Sequence, residues 1–145
     1  MELSAAGLAL IKKSEGFRST IYRDQAGFPT IGYGHKLVKG EDFPQGLTEP
    51  EASAILLKDV SASSTAVLSL VKVPLTQGQF DALVDFTFNL GSGRLASSTL
   101  LKCLNCGRYD AAASQLLKWD MAGGQVDRGL QTRRAAELSL WQGHE

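Results

Sequence analysis

The sequence predicts an α+β, mainly helical domain, with a small antiparallel sheet near the N-terminus and a larger helical part after it. Three observations carry this expectation. Residues 18–37 alternate and are rich in Ile, Tyr, Thr and Gly, the pattern of short paired strands. Capping-box patterns open two helical stretches, at Thr48 and at Thr76. Phe80, Leu83, Val84, Thr87 and Phe88 then fall at i, i+3, i+4, i+7 and i+8, one face of a core helix. A chain of 145 residues fits one domain, 1–145, and can bury a core. We expect a sheet-bearing lobe over about 15–60 and a helical lobe over about 1–14 and 61–145, with a cleft between them.

The elements follow in order. Ser4 is a plausible N-cap for a first helix that runs to about Ser14, where Gly16 breaks it. Residues 18–37 form the sheet. Lys39 to Gly46 is a polar loop. Thr48-Glu49-Pro50-Glu51 starts a long helix, since the Thr hydroxyl caps, Pro50 is tolerated in the first turn and Glu51 completes the box. This helix reaches about Val71, with Ser61 to Thr65 its weakest part. Val73-Pro74 separates it from the core helix, which begins after Thr76 and ends at Gly91. Shorter helices are expected at about 97–105, 109–118 and 131–141.

Composition excludes several classes. Apolar content of 43% is ordinary for a globular protein, and no apolar run approaches a membrane span. In the N-terminal segment the lysines follow the apolar stretch, the reverse of a signal peptide. The formal charge is zero but unevenly spread: residues 1–39 balance at +3, 40–85 at −5 and 86–145 at +2. No basic surface of the kind nucleic acid requires is present. Cys103 and Cys106 form a lone Cys-x-x-Cys. Neither His35 nor His144 lies at zinc-ligand spacing from it, so the pair reads as two thiols at a helix end, with no metal or organic cofactor implied.

The chemistry concentrates in Ser14-Glu15-Gly16-Phe17 and Tyr22-Arg23-Asp24-Gln25-Ala26-Gly27-Phe28-Pro29-Thr30-Ile31-Gly32-Tyr33-Gly34-His35. Glu15 lies at a helix end, and Asp24 and Thr30 lie in the hairpin. Two carboxyls and a hydroxyl drawn together suit hydrolysis of a glycosidic bond. One carboxyl donates a proton to the leaving oxygen, and the other stays ionised beside a water or the developing positive charge. Each residue also has a plain reading: a helix-terminal Glu, a turn Asp before Gly27, and a Thr placed in a strand by its β-branching.

The Glu-(eight residues)-Asp-(five residues)-Thr spacing, with Gly27-Phe28-Pro29-Thr30-Ile31-Gly32-Tyr33-Gly34-His35 around the threonine, resembles the phage-type lysozymes, the endolysins that cut bacterial peptidoglycan. The resemblance continues through Thr76-Gln77-Gly78-Gln79-Phe80 and Phe88-Asn89-Leu90-Gly91, and ends in Gly129-Leu130-Gln131-Thr132-Arg133-Arg134-Ala135-Ala136-Glu137. It implies a lysozyme-like two-lobed fold. It implies Glu15 as general acid, its pKa raised by apolar neighbours such as Phe17, with Asp24, kept ionised by Arg23, and Thr30 positioning the attacking water in an inverting reaction. His35 would pair with Asp59 as a structural salt bridge. Arg133 would contact Glu15, unless it is a helix-surface cation paired with Glu137. Asn89 and Trp119 would line the sugar cleft, although Trp119, like Trp141, also suits a core.

The function so implied is a muramidase that cuts the β-1,4 bond between N-acetylmuramic acid and N-acetylglucosamine in peptidoglycan for host cell lysis. A lytic transglycosylase would need Glu15 alone, which leaves Asp24 and Thr30 surplus. A non-catalytic wall-binding module would not need the carboxylates. The expected protein is a monomer made in the host bacterial cytoplasm and acting in the periplasm or cell wall, released by a holin or another export route, with no nucleic-acid partner.

Overall fold

A serine hydroxyl starts the first helix. Ser4 Oγ accepts from the Gly7 N–H at 3.2 Å, and Gly16, at φ +73°, ends the helix after one last bond to the Lys12 carbonyl. The structure, a computed structural model, describes residues 1–144. Its elements are α1 (Ala5–Glu15), β1 (Arg18–Arg23), β2 (Pro29–Gly32), β3 (His35–Lys36), α2 (Glu49–Leu70), α3 (Gln77–Leu90), α4 (Ser92–Ser97), α5 (Thr99–Asn105), α6 (Tyr109–Leu116), β4 (Met121–Ala122), β5 (Gln125–Val126) and α7 (Arg128–Trp141). The architecture is therefore α+β and mainly helical, with small antiparallel sheets, as the sequence predicts. Among the described residues no helix is long and apolar enough to cross a membrane.

The chain divides into two compact units, Ile11–Ala62 and Met1–Leu10 with the residues from Ser63 onward. In the first unit, β1, β2 and β3 form one antiparallel sheet in that order. Tyr22 pairs with Thr30, Thr30 with Lys36 and Ile31 with His35, and a register shift lies between Arg18 and Tyr22. Ile31, Leu47, Ala52, Leu56 and Val60 are buried. The carboxylate and the hydroxyl at the start of α2 behave as the capping box requires, since Glu51 Oε1 accepts from the Thr48 N–H at 2.9 Å and Thr48 Oγ1 from the Glu51 N–H at 3.3 Å. Ser61 to Thr65 remains helical. Ser61 turns its hydroxyl back to the Lys58 carbonyl at 2.6 Å, so its side chain is satisfied within the helix.

In the second unit α3 is the core helix, capped by Thr76 and Gln79 and ended at Gly91. Phe80, Leu83, Val84 and Phe86 on it are buried. Three features differ from the sequence expectation. Residues 92–97 form the short helix α4. Met121–Ala122 and Gln125–Val126 pair as a hairpin across Gly123-Gly124, whose φ values of +58° and +79° suit a tight two-residue turn. Helix α7 starts at Arg128 and not at about 131, because Asp127 Oδ1 caps it by accepting from the Leu130 N–H at 2.8 Å.

Helices α3 and α7 are held together by buried charge. Asp85 is fully buried and takes a forked bond from Arg133, with Nη2 at 2.8 Å from Oδ1 and Nε at 3.0 Å from Oδ2. One residue further, Arg134 donates through Nη2 to Glu137 at 2.9 Å and to Asn89 Oδ1 at 2.7 Å, and its guanidinium lies 5.2 Å from the Phe86 ring centre. Desolvation, with Asp85 close by, pushes the Glu137 carboxyl well above the ordinary range. Breaking such a set strands a buried charge. Asp85→Asn keeps the size but removes the buried charge that Arg133 grips. We expect a loss of about 3–5 kcal/mol, read from the urea midpoint at constant slope. A loss under about 1 kcal/mol would place Asp85 among ordinary polar contacts.

Candidate active site

The hairpin between β1 and β2 is built on the peptide groups of one residue, Phe28. Its N–H donates to Asp24 Oδ1 at 2.8 Å, and the Ala26 N–H donates to the same oxygen at 2.9 Å. Its carbonyl accepts from the Asp24 N–H at 3.0 Å and from Thr30 Oγ1 at 2.8 Å. Asp24 and Thr30 are thus fixed by bonds to the same residue. Asp24 is partly buried and Thr30 is only 2% exposed. The turn reading of Asp24 is therefore true of one oxygen. The other, Oδ2, faces Lys36 Nζ at 3.7 Å. Arg23, expected to be the cation at Asp24, turns to the Gly27 carbonyl at 2.8 Å instead. Lys36 takes that place from β3, across the sheet, with its ammonium also 5.0 Å from the Phe28 ring centre.

Glu15 is the last residue of α1 and is half-buried. Phe17, expected to bury it, is itself 38% exposed and lies against Tyr33 with ring centres 5.5 Å apart. Glu15, Asp24 and Thr30 all belong to the Ile11–Ala62 unit.

His35 lies in the same unit and is clamped at both ring nitrogens. Nδ1 is 2.7 Å from Asp59 Oδ2, and Nε2 is 2.9 Å from Glu41 Oε1. Glu41, in the loop read as merely polar, also accepts from the Val38 N–H at 2.7 Å. When His35 is protonated both ring nitrogens are donors, one to each carboxylate, and the ring has no lone pair left to take up a further proton. Desolvation pulls the His35 pKa down, but the bonds to Glu41 and Asp59 outweigh it, so the net shift is upward. Glu41 is held below the usual range, first by the Val38 N–H and then by His35.

Asn89, Trp119 and Arg133 belong to the other unit. The Asn89 amide oxygen is taken up by Arg134, and Trp119 is half-buried with its ring edge-on to Phe86 at 5.5 Å and 88°. Arg133 is 7% exposed and grips Asp85, so it is no helix-surface cation, and Arg134 supplies the cation at Glu137. Trp141 is buried. Cys103 is half-buried and Cys106 exposed at the end of α5, and both are free thiols.

The profile of the phage lysozyme family matches residues 12–137. The chain belongs to that family. It is 44% identical over 145 residues to the endolysin of Bacillus phage B103, covering 97% of this chain and 54% of that relative. The chain thus spans about half the length of that relative. Among solved structures it superposes on the muramidase domain of SpmX from Asticaccaulis excentricus with a TM-score of 0.87, 39% identity and 97% of each chain covered. A crystal structure of a P22 lysozyme mutant gives a TM-score of 0.89 at 39% identity, covering 98% of this chain and 99% of the other.

The His35 cluster makes stability depend on pH with a definite sign. His35 has a raised pKa, so its contribution is complete below its unfolded value of about 6.5 and fades as pH rises through the higher folded value. Glu41 has a lowered pKa, so its contribution is complete above about 4.3 and is lost as pH falls through the lower folded value. The cluster therefore stabilises most between about pH 4.3 and 6.5. With Asp59 and Glu41 at 29% and 31% exposure, we expect coupling of His35 to each acid of about 1–2 kcal/mol at pH 5.5, falling by pH 8.5. Double-mutant cycles with His35→Gln, Asp59→Asn and Glu41→Gln measure it. Coupling that grows with pH would have the wrong sign.

Proposed function

We propose that this chain is an endolysin-type muramidase that hydrolyses the β-1,4 bond between N-acetylmuramic acid and N-acetylglucosamine in bacterial peptidoglycan, with inversion at the anomeric carbon. The observation that carries the reading is the arrangement of Asp24 and Thr30 on the Phe28 peptide groups, within the same unit as a half-buried Glu15.

The roles follow from donor and acceptor chemistry. Thr30 gives its only hydroxyl hydrogen to the Phe28 carbonyl, so toward a water it can act only as acceptor. An ionised Asp24 also only accepts. A water held between the two directs both hydrogens at the protein and keeps a lone pair for the sugar. Glu15, protonated, donates to the glycosidic oxygen as the bond from the anomeric carbon to that oxygen breaks. The water oxygen bonds to the anomeric carbon from the opposite face, and its proton passes to Asp24. The products are a free 4-hydroxyl on one sugar and an inverted reducing end on the other. Asn89 and Trp119 are proposed to contact sugar. The protein is proposed to act as a monomer on the cell wall, after release from the host cytoplasm by a holin or another export route.

Two substitutions test the assignment. Glu15→Gln is nearly isosteric but cannot donate the proton, so clearing of purified peptidoglycan should fall by about 10²–10⁴ with an unchanged circular dichroism spectrum. Asp24→Asn is the sharper case. An asparagine carbonyl can keep both bonds from Ala26 and Phe28, so the hairpin survives while the charge is lost. We expect a folded protein with turnover reduced by about 10²-fold or more. Turnover at the parental rate would leave Asp24 as a turn residue only.

A further inference from the structure

The sheet unit contains a second chain of bonds that the reaction does not use directly, and it leads to Glu15. Tyr33 and Gly34 connect β2, which ends at Gly32, to β3, with φ of +67° at Gly32 and +75° at Gly34. A Cβ placed on Gly34 would lie 2.8 Å from Glu15 Oε1 and 3.6 Å from its Cδ. The Glu15 carboxyl therefore lies directly on the Gly34 backbone, in space that any other residue would fill.

The turn is clamped on both sides of Glu15. Tyr33 is 8% exposed and donates from its hydroxyl to Glu49 Oε2 at 2.5 Å. The same oxygen accepts from Ser53 Oγ at 2.8 Å and lies 3.1 Å from Lys12 Nζ. Lys12 is three residues before Glu15 on α1, and its ammonium is also 5.5 Å from the Tyr33 ring centre. Phe17, two residues after Glu15, packs on that ring from the chain that leaves the helix. The residues that flank Glu15 are both tied to the residue that precedes its seat.

We propose that Lys12, Glu49 and Tyr33 are positioning residues for Glu15: they pin the Gly32–Gly34 turn against the end of α1 and so fix the bare backbone on which the carboxyl lies. The inference builds on the assignment of Glu15 as general acid. Neither partner of the Tyr33–Glu49 bond changes its charge near neutral pH. The Tyr33 bond, then Ser53 and Lys12, hold Glu49 ionised with its pKa at about 2, and the Glu49 bond pushes the Tyr33 phenol to about 12. A rigid seat matters because misplacing a catalytic group by about 1 Å can cost about 10²-fold in rate.

The experiment measures kcat and KM on soluble peptidoglycan fragments for the parent, Gly34→Ala, Tyr33→Phe, Gly40→Ala and Glu15→Gln. Gly40 has φ +92° and nothing within 4 Å of a new Cβ, so Gly40→Ala carries the backbone strain alone. We expect Gly34→Ala to lower kcat by about 10²-fold and Tyr33→Phe by about tenfold. KM should stay within about twofold of the parent, because the lost effect belongs to the chemical step. Gly40→Ala should lose thermal stability as Gly34→Ala does and keep its kcat. If Gly34→Ala does not fold, Tyr33→Phe decides, since it keeps the ring and its packing. Parental kcat in Tyr33→Phe, or in a folded Gly34→Ala, would overturn the proposal. Glu15→Gln separates the two levels. If it is inactive while the turn variants run at the parental rate, only the positioning inference fails. If it is fully active, the general-acid assignment fails and this inference fails with it.

Discussion

Everything proposed for the hairpin depends on how one residue's peptide groups are shared. Asp24 directly follows β1 and Thr30 lies in β2, on opposite sides of the turn. Phe28 joins them, with its N–H on the carboxylate and its carbonyl on the hydroxyl. The orientation of both side chains is thereby set by the backbone. The Phe28 ring has no part in it, being 54% exposed with Lys36 over one face. This arrangement also decides which atoms remain for chemistry. One carboxylate oxygen is used by two N–H groups, the threonine hydrogen is spent on a carbonyl, and only acceptors are left. A backbone so committed cannot reorganise when charge develops, which is the condition under which fixed dipoles stabilise a transition state.

The two units manage charge by different means. In the sheet unit the ionic groups are partly exposed and joined in short chains: His35 between Asp59 and Glu41, and Glu49 between Tyr33 and Lys12. Such pairs contribute modestly to stability, but they fix the ends of short strands that have few residues to pack. In the helical unit Asp85, Arg133, Arg134 and Glu137 are all buried, on two helices only. There a hydrophobic replacement of the whole set can be neutral, whereas the loss of one member is costly. The buried set helps fix which faces of α3 and α7 meet, since Arg133 grips Asp85 and Arg134 bonds Asn89, both across the two helices.

How much of this was legible in the sequence differs by physical signal. Capping boxes at Thr48 and Thr76 mark their helices because the bonds involved span three residues and need no tertiary context. The Gly-rich alternation of residues 18–37 marks the sheet for the same local reason. The hairpin at Gly123-Gly124 was readable by the same rule but lies in two-residue strands, too short for alternation to register. The capping Asp127 is masked by Gly129 in the first turn of its helix. The buried acids gave a signal of another kind. Asp81 and Asp85 sit on the apolar face of α3, and a carboxylate there demands a donor from elsewhere in the chain. Asp81 finds the Ser4 N–H and hydroxyl and the Gln77 amide, and Asp85 finds Arg133. The demand can be read from one sequence, but the partner cannot, because it comes from a distant segment. For the candidate site, residue types and spacing marked Glu15, Asp24 and Thr30. Lys36, Glu41, Glu49 and the exchange at Phe28 depend on register and were invisible.

In the proposed reaction a water held by Asp24 and Thr30 attacks the anomeric carbon while Glu15 protonates the leaving oxygen. The stereochemistry of the first-formed product tests it most directly. Proton NMR of soluble peptidoglycan fragments, recorded as the enzyme acts and before mutarotation equilibrates the ends, distinguishes the outcomes. New reducing ends should appear first as the α anomer, inverted from the β linkage. A β anomer appearing first would mean a covalent intermediate on the enzyme, and a 1,6-anhydro end would mean that the substrate's own hydroxyl replaced the water. Either result would contradict the roles assigned to Asp24 and Thr30.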